Sequence, residues 1–416
     1  MPDGDGATPT PNVSSFAFWS QPASARASTF AELRKSAPIS FQEPSDFGAV
    51  PSARGFWALT RHEDVVHVSR APELFSSGRG VGLGDVPVDL LELNASFLVM
   101  DAPRHTALRR VVSGAFTPKR VALLQDAIEA EAGRIVDDFV ESGGGDVVRD
   151  LSSKLPLWTI CEMMGVPASL RKDLFSAAEA QMASQDPEFA GTAAERVTVA
   201  VHAAQTLHGI AAELCAARRA NPGDDILSTL VHSELEGQPL SDQILGGIFV
   251  LFSTAGNDTT KNTTSHACKL FADNPDQWKL LVNDSSLLGT AVEELLRCAT
   301  PVIHFRRTAT ADVTLGGTLI ADGDAVVMFY ESANVDESVF PEAHRFDITR
   351  SPNPHVAFGG GGPHFCLGAN LARTQLRALL SRLAQRVSSI ETGEPDYLVS
   401  NFINGIKRMP ASITAR

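Results

Sequence analysis

Apolar residues recur at every third or fourth position over six long stretches of the chain, the spacing that gives an α-helix one buried face. Leucine and alanine, which favour helices, are frequent there. Shorter runs between Gly or Asp turns predict β-strands. The predicted helices are Val121–Ser142, Lys154–Met164, Ala193–Ala220, Gln243–Asp273, Ala291–Arg297 and Asn370–Leu383, and the predicted strands are Gly55–Leu59, Val302–Arg307, Val313–Leu315 and Ala325–Phe329. The pattern predicts a mainly α protein, with a large helical domain and a small β-rich portion.

The composition is that of an ordinary globular chain. Of its 416 residues, 44% are hydrophobic and 20% are charged, which suits a substantial core. Residues 1–15 are polar and rich in Pro, Gly and Ser, so we expect a flexible tail there and a single domain over residues 16–416. The tail lacks the features of a secretion signal, and the longest strongly apolar run, residues 244–252, is too short to span a bilayer. A cytoplasmic protein with no membrane span is predicted.

The net charge of the chain and the positions of its basic residues indicate which kinds of partner it can bind. A net charge of −14 argues against generic binding of nucleic acid. Clusters of basic residues on such an acidic protein can form a solvated face, hold the carboxylates of a ligand or dock an acidic partner. They are Arg104/Arg109/Arg110, Lys119/Arg120, Arg306/Arg307 and Arg373/Arg377.

A glycine-rich segment at residues 357–368 carries the most specific chemical signal, because it delivers Cys366 to the start of a predicted helix. Glycines let the main chain approach a ligand closely, and the N–H groups of a helix N-terminus stabilise a thiolate. A thiolate that binds a haem iron needs both features, whereas the alternative is a flexible loop with an ordinary cysteine. The other cysteines lie far apart in apolar surroundings and predict neither disulfides nor a zinc site. They are Cys161, Cys215, Cys268 and Cys298.

A second signal lies in the middle of the helix predicted over residues 243–273. Gly256 and the threonine pair Thr259–Thr260 weaken the helix there, and Asp258 is costly to bury unless it has a function or a partner. One interpretation is a groove in which an acid and an alcohol relay protons through water. The other is a patch that faces solvent. Two further pairs at helical spacing carry little information alone: Glu294 with Arg297, and His105 with Arg109.

In combination and in this order, the motifs resemble those of the cytochrome P-450 superfamily of haem-thiolate monooxygenases, along nearly the whole chain. Phe358–Gly368 resembles the haem loop, Ala255–Thr260 the oxygen-activating helix, and Glu294–Arg297 a structural pair of the family. Residues 100–118 look like the helix that covers one haem edge. Arg345 resembles the arginine that joins the structural pair in a triad. The resemblance implies the P-450 fold and an oxidoreductase that uses dioxygen.

The resemblance also assigns the cofactor and its contacts. Cys366 would be the metal ligand and would bind the iron of haem b. The loop that carries it would begin at Phe358 and end at Gly368. Basic side chains would hold the haem propionates, because charge-assisted hydrogen bonds stabilise carboxylates. These side chains are His105, Arg109, Arg307 and His364.

Four residues of the oxygen-activating helix receive roles by the same resemblance. Ala255 and Gly256 would leave room for oxygen and substrate, while Asp258 and Thr259 would be catalytic and deliver protons to dioxygen. Such an acid and alcohol favour a monooxygenase over a peroxide-using relative. They also argue against the alternative of a haem sensor or binding protein without turnover. A thiol hydrolase is disfavoured as well, because Cys366 lacks a convincing partner set.

Two positions depart from the common pattern of the family. Phe358 lies eight residues before Cys366 instead of seven, because the loop has one glycine more. Val335 stands where many bacterial members have arginine. The first departure leaves ligation by Cys366 unaffected, and the second concerns only a local polar contact.

The resemblance implies electron transfer from separate proteins, since no flavin or iron–sulfur segment is recognisable in the chain. A ferredoxin and its reductase are the expected partners. An acidic ferredoxin is expected to dock on the face nearest Cys366. The basic residues expected there are Lys119, Arg120, Arg373 and Arg377.

Several stretches look like one actinobacterial branch of the family: residues 301–308, 364–373 and 402–407. That branch resembles terminal hydroxylases of methyl-branched lipids and sterol side chains, so terminal hydroxylation of such an apolar substrate is predicted. A natural-product hydroxylase that acts on a terpenoid or macrolide is the alternative. Apolar walls select substrates by shape, although each wall residue can equally belong to the core. The expected wall residues are Leu98, Val99, Ile248, Phe252, Val302, Ile303, Phe402 and Ile403.

Overall fold

Helices make up most of the computed structural model. It describes residues 10–46, 54–84, 96–114, 118–189 and 191–416, with the backbone alone at residues 118–123 and 193. The α-helices are α1 (Phe16–Trp19), α2 (Ala23–Ser36), α3 (His62–Arg70), α4 (Arg104–Ser113), α5 (Pro118–Glu141), α6 (Lys154–Met164), α7 (Ala168–Ala183), α8 (Ala193–Ala220), α9 (Ile226–Val231), α10 (Asp242–Asp273), α11 (Pro275–Asn283), α12 (Leu288–Ala299), α13 (Tyr330–Ala333) and α14 (Ala369–Arg386). A turn of 3-10 helix spans Phe97–Val99, and a π-helical turn spans Val148–Ser152.

In the described part of the chain, the strands form two small sheets and three hairpins. The strands are β1 (Ile39–Gln42), β2 (Phe56–Leu59), β3 (Phe75–Ser76), β4 (Gly144–Asp146), β5 (Glu234–Leu235), β6 (Gln238–Pro239), β7 (His304–Ala309), β8 (Val313–Leu315), β9 (Thr318–Ile320), β10 (Ala325–Phe329), β11 (Val387–Thr392), β12 (Asp396–Tyr397), β13 (Ile406–Arg408) and β14 (Pro410–Ala415). One sheet has the order β1-β2-β10-β7-β3 and the other β11-β14-β4. Strand β10 pairs in parallel with β2 and antiparallel with β7, which places Ala325 between Phe56 and Thr308.

All six predicted helices are present, and their ends lie within three residues of the predicted ones. The mainly α architecture with a small β portion is therefore confirmed. Helix α2 was missed because Arg26 and Arg34 lie on its buried face beside Phe30 and Leu33. Buried arginines interrupt the apolar period by which a helix is recognised.

Helix α10 is the longest described element and passes through the helical core. Ser241 caps its N-terminus by accepting a hydrogen bond from the Ile244 N–H at 3.3 Å. The first half buries apolar side chains such as Phe249. The second half buries hydroxyl groups that bond to the carbonyl one turn back, as Thr264 does to Thr260 at 3.0 Å. Helices α6, α8, α12 and α14 pack against it, so α10 contacts the helix that follows the glycine-rich loop.

Part of the segment that was expected to be a flexible tail is packed against the domain. Residues 1–9 of the tail predicted for residues 1–15 lie outside the described part of the chain. Val13 and Ser14, however, are buried, and the Val13 N–H donates to Gln42 Oε1 at 2.8 Å. The packed part therefore begins before Phe16. Within the described ranges, every helix is too short or too polar to cross a membrane.

Candidate active site

A cavity lies between α10 and the glycine-rich loop that leads into α14. The loop and α14 contribute residues from Ala357 to Leu376, and α10 contributes residues from Leu251 to Thr263. Further parts of the wall come from residues 97–98, from α4, from the chain between α12 and β7 and from β7 itself. The space open to the centres of water-sized molecules is about 210 Å³. The site is thus enclosed by the longest helix on one side and by the cysteine loop on the other.

The glycines of the loop are required by its close packing against α3. At Gly362, where φ is +75°, a Cβ atom would lie only 2.1 Å from the Ser69 carbonyl oxygen. At Gly360 a Cβ would lie 2.9 Å from the Val66 Cα. The Cys366 N–H donates to the Phe358 carbonyl at 3.0 Å and closes the loop. A side chain at either glycine would push the loop off α3 and displace Cys366.

The Cys366 side chain is surrounded by protein and yet exposed, because the surface that it exposes borders the cavity. Burial raises the pKa of its thiol. The Gly368 N–H and the positive charges of Arg109 and Arg373 lower this pKa, but their effect is smaller. In the protein alone, burial thus outweighs the Gly368 N–H and the two arginines in their effect on this pKa. A metal ion deprotonates a coordinating thiol outright, so this cysteine suits metal ligation and not a free nucleophile.

The four basic side chains that the resemblance assigns to the propionates lie together at one edge of the cavity. Arg109 of α4, Arg307 of β7 and His364 of the loop line it, and the His105 ring packs against His364 at a tilt of 37°, with centroids 4.2 Å apart. Burial lowers the pKa of His364 to about 3, with help from the charges of Arg307, His105 and Arg109. Burial also lowers the pKa of Arg109 and of Arg307. Each of these shifts would be relieved by a bound anion.

In the described ranges no carboxylate forms an ion pair with these four side chains, although the charge of Asp101 acts on His105 and Arg307. Arg109 donates to the Phe365 carbonyl, Arg307 donates to the Arg306 carbonyl at 2.8 Å, and the buried His105 Nε2 has no partner there. Buried basic groups are costly without anions. A cavity with a thiol in its wall and a basic edge fits haem, which brings both an iron and two propionates.

Replacing Arg307 with leucine is expected to weaken haem retention about 10- to 150-fold, because a hydrogen bond to a charged group contributes about 1.5–3 kcal/mol. Haem transfer to an apo-globin measures this loss. Arg110→Leu is the matched control, since Arg110 is exposed on α4 next to Arg109. Equal retention in the two variants would contradict the assignment of Arg307 to a propionate.

The acid and the alcohol predicted to act together lie on different faces of α10. Thr259, Ala255 and Gly256 line the cavity, and Thr259 Oγ1 donates to the Ala255 carbonyl at 2.8 Å. Asp258 is 2% exposed, forms an ion pair with Lys261 and lines a second cavity instead. Consecutive residues of a helix point about 100° apart. The structure therefore brings Thr259 to the site and holds the Asp258 carboxylate away from it.

The structure brings three of the eight predicted wall residues to this cavity. Leu98, Phe252 and Val302 line the cavity. Ile248 and Ile303 have no exposed surface and belong to the core. For Ile303 the reason is that successive side chains of an extended segment such as 302–303 point to opposite sides.

The other three predicted wall residues also lie elsewhere. Ile403 lines the second cavity. Val99 and Phe402 are half-buried, and neither is among the described residues that line the first cavity. Sequence reasoning missed three apolar residues that do line it: Phe97, Leu251 and Phe305.

The structural pair on α12 is completed by a different arginine from the one implied by the resemblance. Glu294 and Arg297 are fully buried and joined at 2.7 Å. The third member is Arg350, whose Nε donates to Glu294 Oε2 at 3.1 Å. Arg345 instead pairs with Glu342 at the surface. The triad assignment is thus corrected from Arg345 to Arg350.

A half-buried cluster braces the cysteine loop from outside the cavity. Arg373 binds both oxygens of Glu293 at 2.7 Å, and its guanidinium lies 4.5 Å from the centre of the Phe358 ring. Burial raises the pKa of Glu293, but Arg373 and His355 outweigh it and bring this pKa to about 2. Sequence reasoning missed this cluster, since Glu293 lies 80 residues from Arg373. Arg373 is therefore a structural residue of the loop and not a free surface cation.

A mainly helical protein with a lone cysteine on a glycine loop, a basic cavity edge and a threonine helix opposite belongs to the haem-thiolate class. The family model described as Cytochrome P450 matches residues 58–398, and the chain belongs to this family. Family membership confirms the predicted P-450 fold and identifies an oxygenase that works with dioxygen, redox partners and an apolar substrate.

Individual relatives are similar over almost the whole chain. The methyl-branched lipid omega-hydroxylase of Mycobacterium tuberculosis is 39% identical, over 97% of this chain and 96% of its own. The steroid C26-monooxygenase of Mycolicibacterium smegmatis is 39% identical, over 92% of this chain and 90% of its own. A Mycobacterium marinum cytochrome P450, solved in complex with pseudoionone, is 46% identical with a TM-score of 0.93, over 98% of this chain and 100% of its own.

Proposed function

We propose that the protein hydroxylates the terminal carbon of a methyl-branched lipid or sterol side chain. The observation that carries the proposal is the apolar wall of the cavity formed by α10 and residues 97–98 and 301–305, which is interrupted mainly by threonine hydroxyls. Such a wall offers few polar anchors and selects by shape. The proposal is supported by the two curated relatives, which are named for a methyl-branched lipid and for a steroid.

Haem b is the proposed cofactor, held by Cys366 Sγ as the metal ligand and by Arg109 and Arg307 at the propionates. When bound, it supplies dioxygen activation and electron transfer. The chain supplies the rest: Phe252 and its apolar neighbours exclude water, and the Thr259 hydroxyl provides a proton at the substrate side of α10. Both roles are supported by the position of these side chains in the cavity wall.

A ferredoxin and its reductase are the proposed electron donors. An acidic ferredoxin would dock near the exposed Arg377 on α14. Arg373 is engaged with Glu293, so it contributes less to such a surface than the sequence suggested. The side chains of Lys119 and Arg120 lie outside the described residues. A cytoplasmic location stays a prediction.

A natural-product hydroxylase is the second candidate function. It is favoured by the Mycobacterium marinum relative that was solved with pseudoionone, which is an acyclic terpenoid ketone. Pseudoionone also ends in a methyl-branched carbon. The substrates of the two candidate functions therefore share a methyl-branched end, which would reach the iron, and differ in the remainder of the molecule.

A spectral-shift screen on the haem-loaded protein tests the proposal. The panel holds methyl-branched fatty acids, cholesterol-type sterols and acyclic terpenoids, with straight-chain fatty acids of equal length as matched controls. We expect the branched acids or sterols to shift the Soret band and to yield the terminal alcohol. The unbranched controls should bind more weakly, because they leave the end of the cavity unfilled.

The outcomes separate the candidates. Turnover of terpenoids alone would favour the natural-product reaction. Hydroxylation at an internal carbon would contradict terminal hydroxylation even if branched lipids bind.

A further inference from the structure

A half-buried pair of charges lies against the cysteine loop, outside the first cavity and between α12 and α14. Arg373 of α14 donates two hydrogen bonds to Glu293 of α12, each of 2.7 Å, and its guanidinium lies 4.5 Å from the centre of the Phe358 ring. The side chains of Arg373 and Glu293 are only 23% and 26% exposed. Charges in such a position are screened less by water and salt than charges at the open surface, so they act more strongly on their surroundings.

His355 adds a third hydrogen bond to the carboxylate of Glu293. The Ala357 N–H donates to His355 Nδ1 at 3.2 Å, so the ring carries its proton on Nε2, which donates to Glu293 Oε2 at 3.1 Å. Burial raises the pKa of Glu293, but the hydrogen bonds and charges of Arg373 and His355 outweigh it and bring this pKa to about 2. Glu293 is therefore ionised at neutral pH, and a positive and a negative charge are held in one defined geometry.

Two interactions connect this pair of charges with Cys366. Phe358, which the Arg373 guanidinium covers, lines the first cavity, and its carbonyl accepts a hydrogen bond from the Cys366 N–H at 3.0 Å. The positive charge of Arg373 also acts on the Cys366 sulfur through space. Arg109 acts on this sulfur as well, but it lies in the cavity wall, at the edge assigned to the propionates. Arg373 is thus the cation whose effect on Cys366 is balanced by a carboxylate of the protein.

We propose that Glu293 and Arg373 are positioning residues that set the reduction potential of the haem, because they hold the Cys366 loop and place opposed charges behind it. The inference rests on the proposed ligation of haem by Cys366 and not on the proposed substrate. One-electron reduction of the ferric haem by the redox partner adds one negative charge beside the Cys366 sulfur. The charge of Arg373 favours this reduction and the charge of Glu293 opposes it. The balance of the two charges therefore determines how readily the redox partner reduces the haem.

The test is the reduction potential of haem-loaded variants, measured by spectroelectrochemical titration at low ionic strength and mildly alkaline pH, where an unpaired carboxylate stays ionised. Glu293→Gln leaves Arg373 without its counter-charge, so we expect the potential to shift to a more positive value. Arg373→Gln leaves the Glu293 carboxylate unopposed, so we expect a shift to a more negative value. Residues that only braced the loop would loosen it in both variants and shift both potentials in the same direction.

Two further variants separate charge from geometry. Arg373→Lys keeps the positive charge but loses the planar fork that binds both carboxylate oxygens and stacks on a ring, so its potential should stay close to that of the wild type. Asp137→Asn is the matched control for a broken ion pair, because Asp137 binds Arg382 of α14 at 2.6 Å and the two side chains are 32% and 35% exposed. Arg382 lies about 14 Å further along α14 than Arg373, at about 1.5 Å per residue. The potential of Asp137→Asn should therefore be unchanged.

The double variant Glu293→Gln/Arg373→Gln removes both charges, and charge balance predicts a potential close to that of the wild type. This variant decides the case even if one of the single variants does not retain haem. Three results would each overturn the inference: shifts in the same direction in the two single variants, unmoved potentials in both, or a double variant that departs from the wild type as far as a single variant does.

Other outcomes concern the proposed function. Each protein is first reduced and exposed to carbon monoxide, and a red-shifted Soret band shows that Cys366 binds the iron. A wild-type protein without this band would reject the proposed ligation and the inference with it. Failure of terminal hydroxylation would reject the proposed substrate alone, since the potentials are measured without substrate.

Discussion

Cys366→Ser is expected to abolish oxygenation and to remove the red-shifted Soret band that thiolate-ligated haem shows when it is reduced and exposed to carbon monoxide. Serine is nearly the same size as cysteine, and the bond from the residue 366 N–H to the Phe358 carbonyl uses only the backbone. The loop should therefore keep its shape. What is lost is the soft, electron-donating sulfur that a haem-thiolate iron requires.

The matched control is Cys215→Ala, since Cys215 is buried in α8 away from the cavity. It should cost about 1 kcal/mol of stability, as a typical core substitution does, and keep the red-shifted band. Absorption spectra and haem content of both purified variants provide the measurement. A red-shifted band that survives in Cys366→Ser would reject Cys366 as the ligand.

The fold was predictable wherever a long helix has one apolar face. Helices α6 and α8 begin and end at the predicted residues. Helix α6 buries apolar side chains along its whole length, from Leu155 to Met164, whereas the start of α8 is marked by the capping box of Thr192 and Glu195. The second sheet was not predicted. Strand β11 pairs with β14, and β14 pairs with β4, more than 260 residues away in sequence. Pairing at such separations depends on how the helices bring the strands together, which a local pattern cannot predict.

The candidate site was predictable where a residue type is itself chemically unusual. Cys366 and the basic residues at the cavity edge could be predicted from their type and motif. The sequence could not predict which of two adjacent residues faces the cavity. Val302 lines the cavity and Ile303 lies in the core, while Thr259 lines the cavity and Asp258 does not. Adjacent side chains of a strand or helix point in different directions, but an apolar residue that faces the cavity and one that faces the core look alike in sequence.

Glu294→Gln is expected to destabilise the protein by about 3–5 kcal/mol, because breaking a buried ion pair leaves its partner charge uncompensated. Arg297 has no exposed surface, and Arg350 is only 10% exposed at its side chain. Glutamine keeps the shape of Glu294 but removes the negative charge that both arginines share. Chemical denaturation of the haem-loaded protein, followed by circular dichroism, measures the loss.

The pH dependence of the free energy of unfolding gives an independent check on the role of Glu294, and its direction can be predicted. Burial raises the pKa of Glu294, but the hydrogen bonds and charges of Arg297 and Arg350 and the Asp347 N–H outweigh it, so this pKa lies below its ordinary value. The stabilisation is then complete above the pKa of the unfolded chain and is lost as the pH falls through the lower pKa of the folded protein. Glu294→Gln should therefore flatten the acid limb of the stability curve.

Matched arginine variants decide which arginine completes the triad. Arg350→Gln should destabilise the protein strongly, since it removes a partially buried contact to Glu294. Arg345→Gln should change stability by no more than about 0.5 kcal/mol, because its pair with Glu342 is exposed. The two arginines lie five residues apart in a segment without helical or strand periodicity, so only the structure distinguishes them. The reverse order of effects would restore Arg345 as the third member and reject the geometry around Glu294.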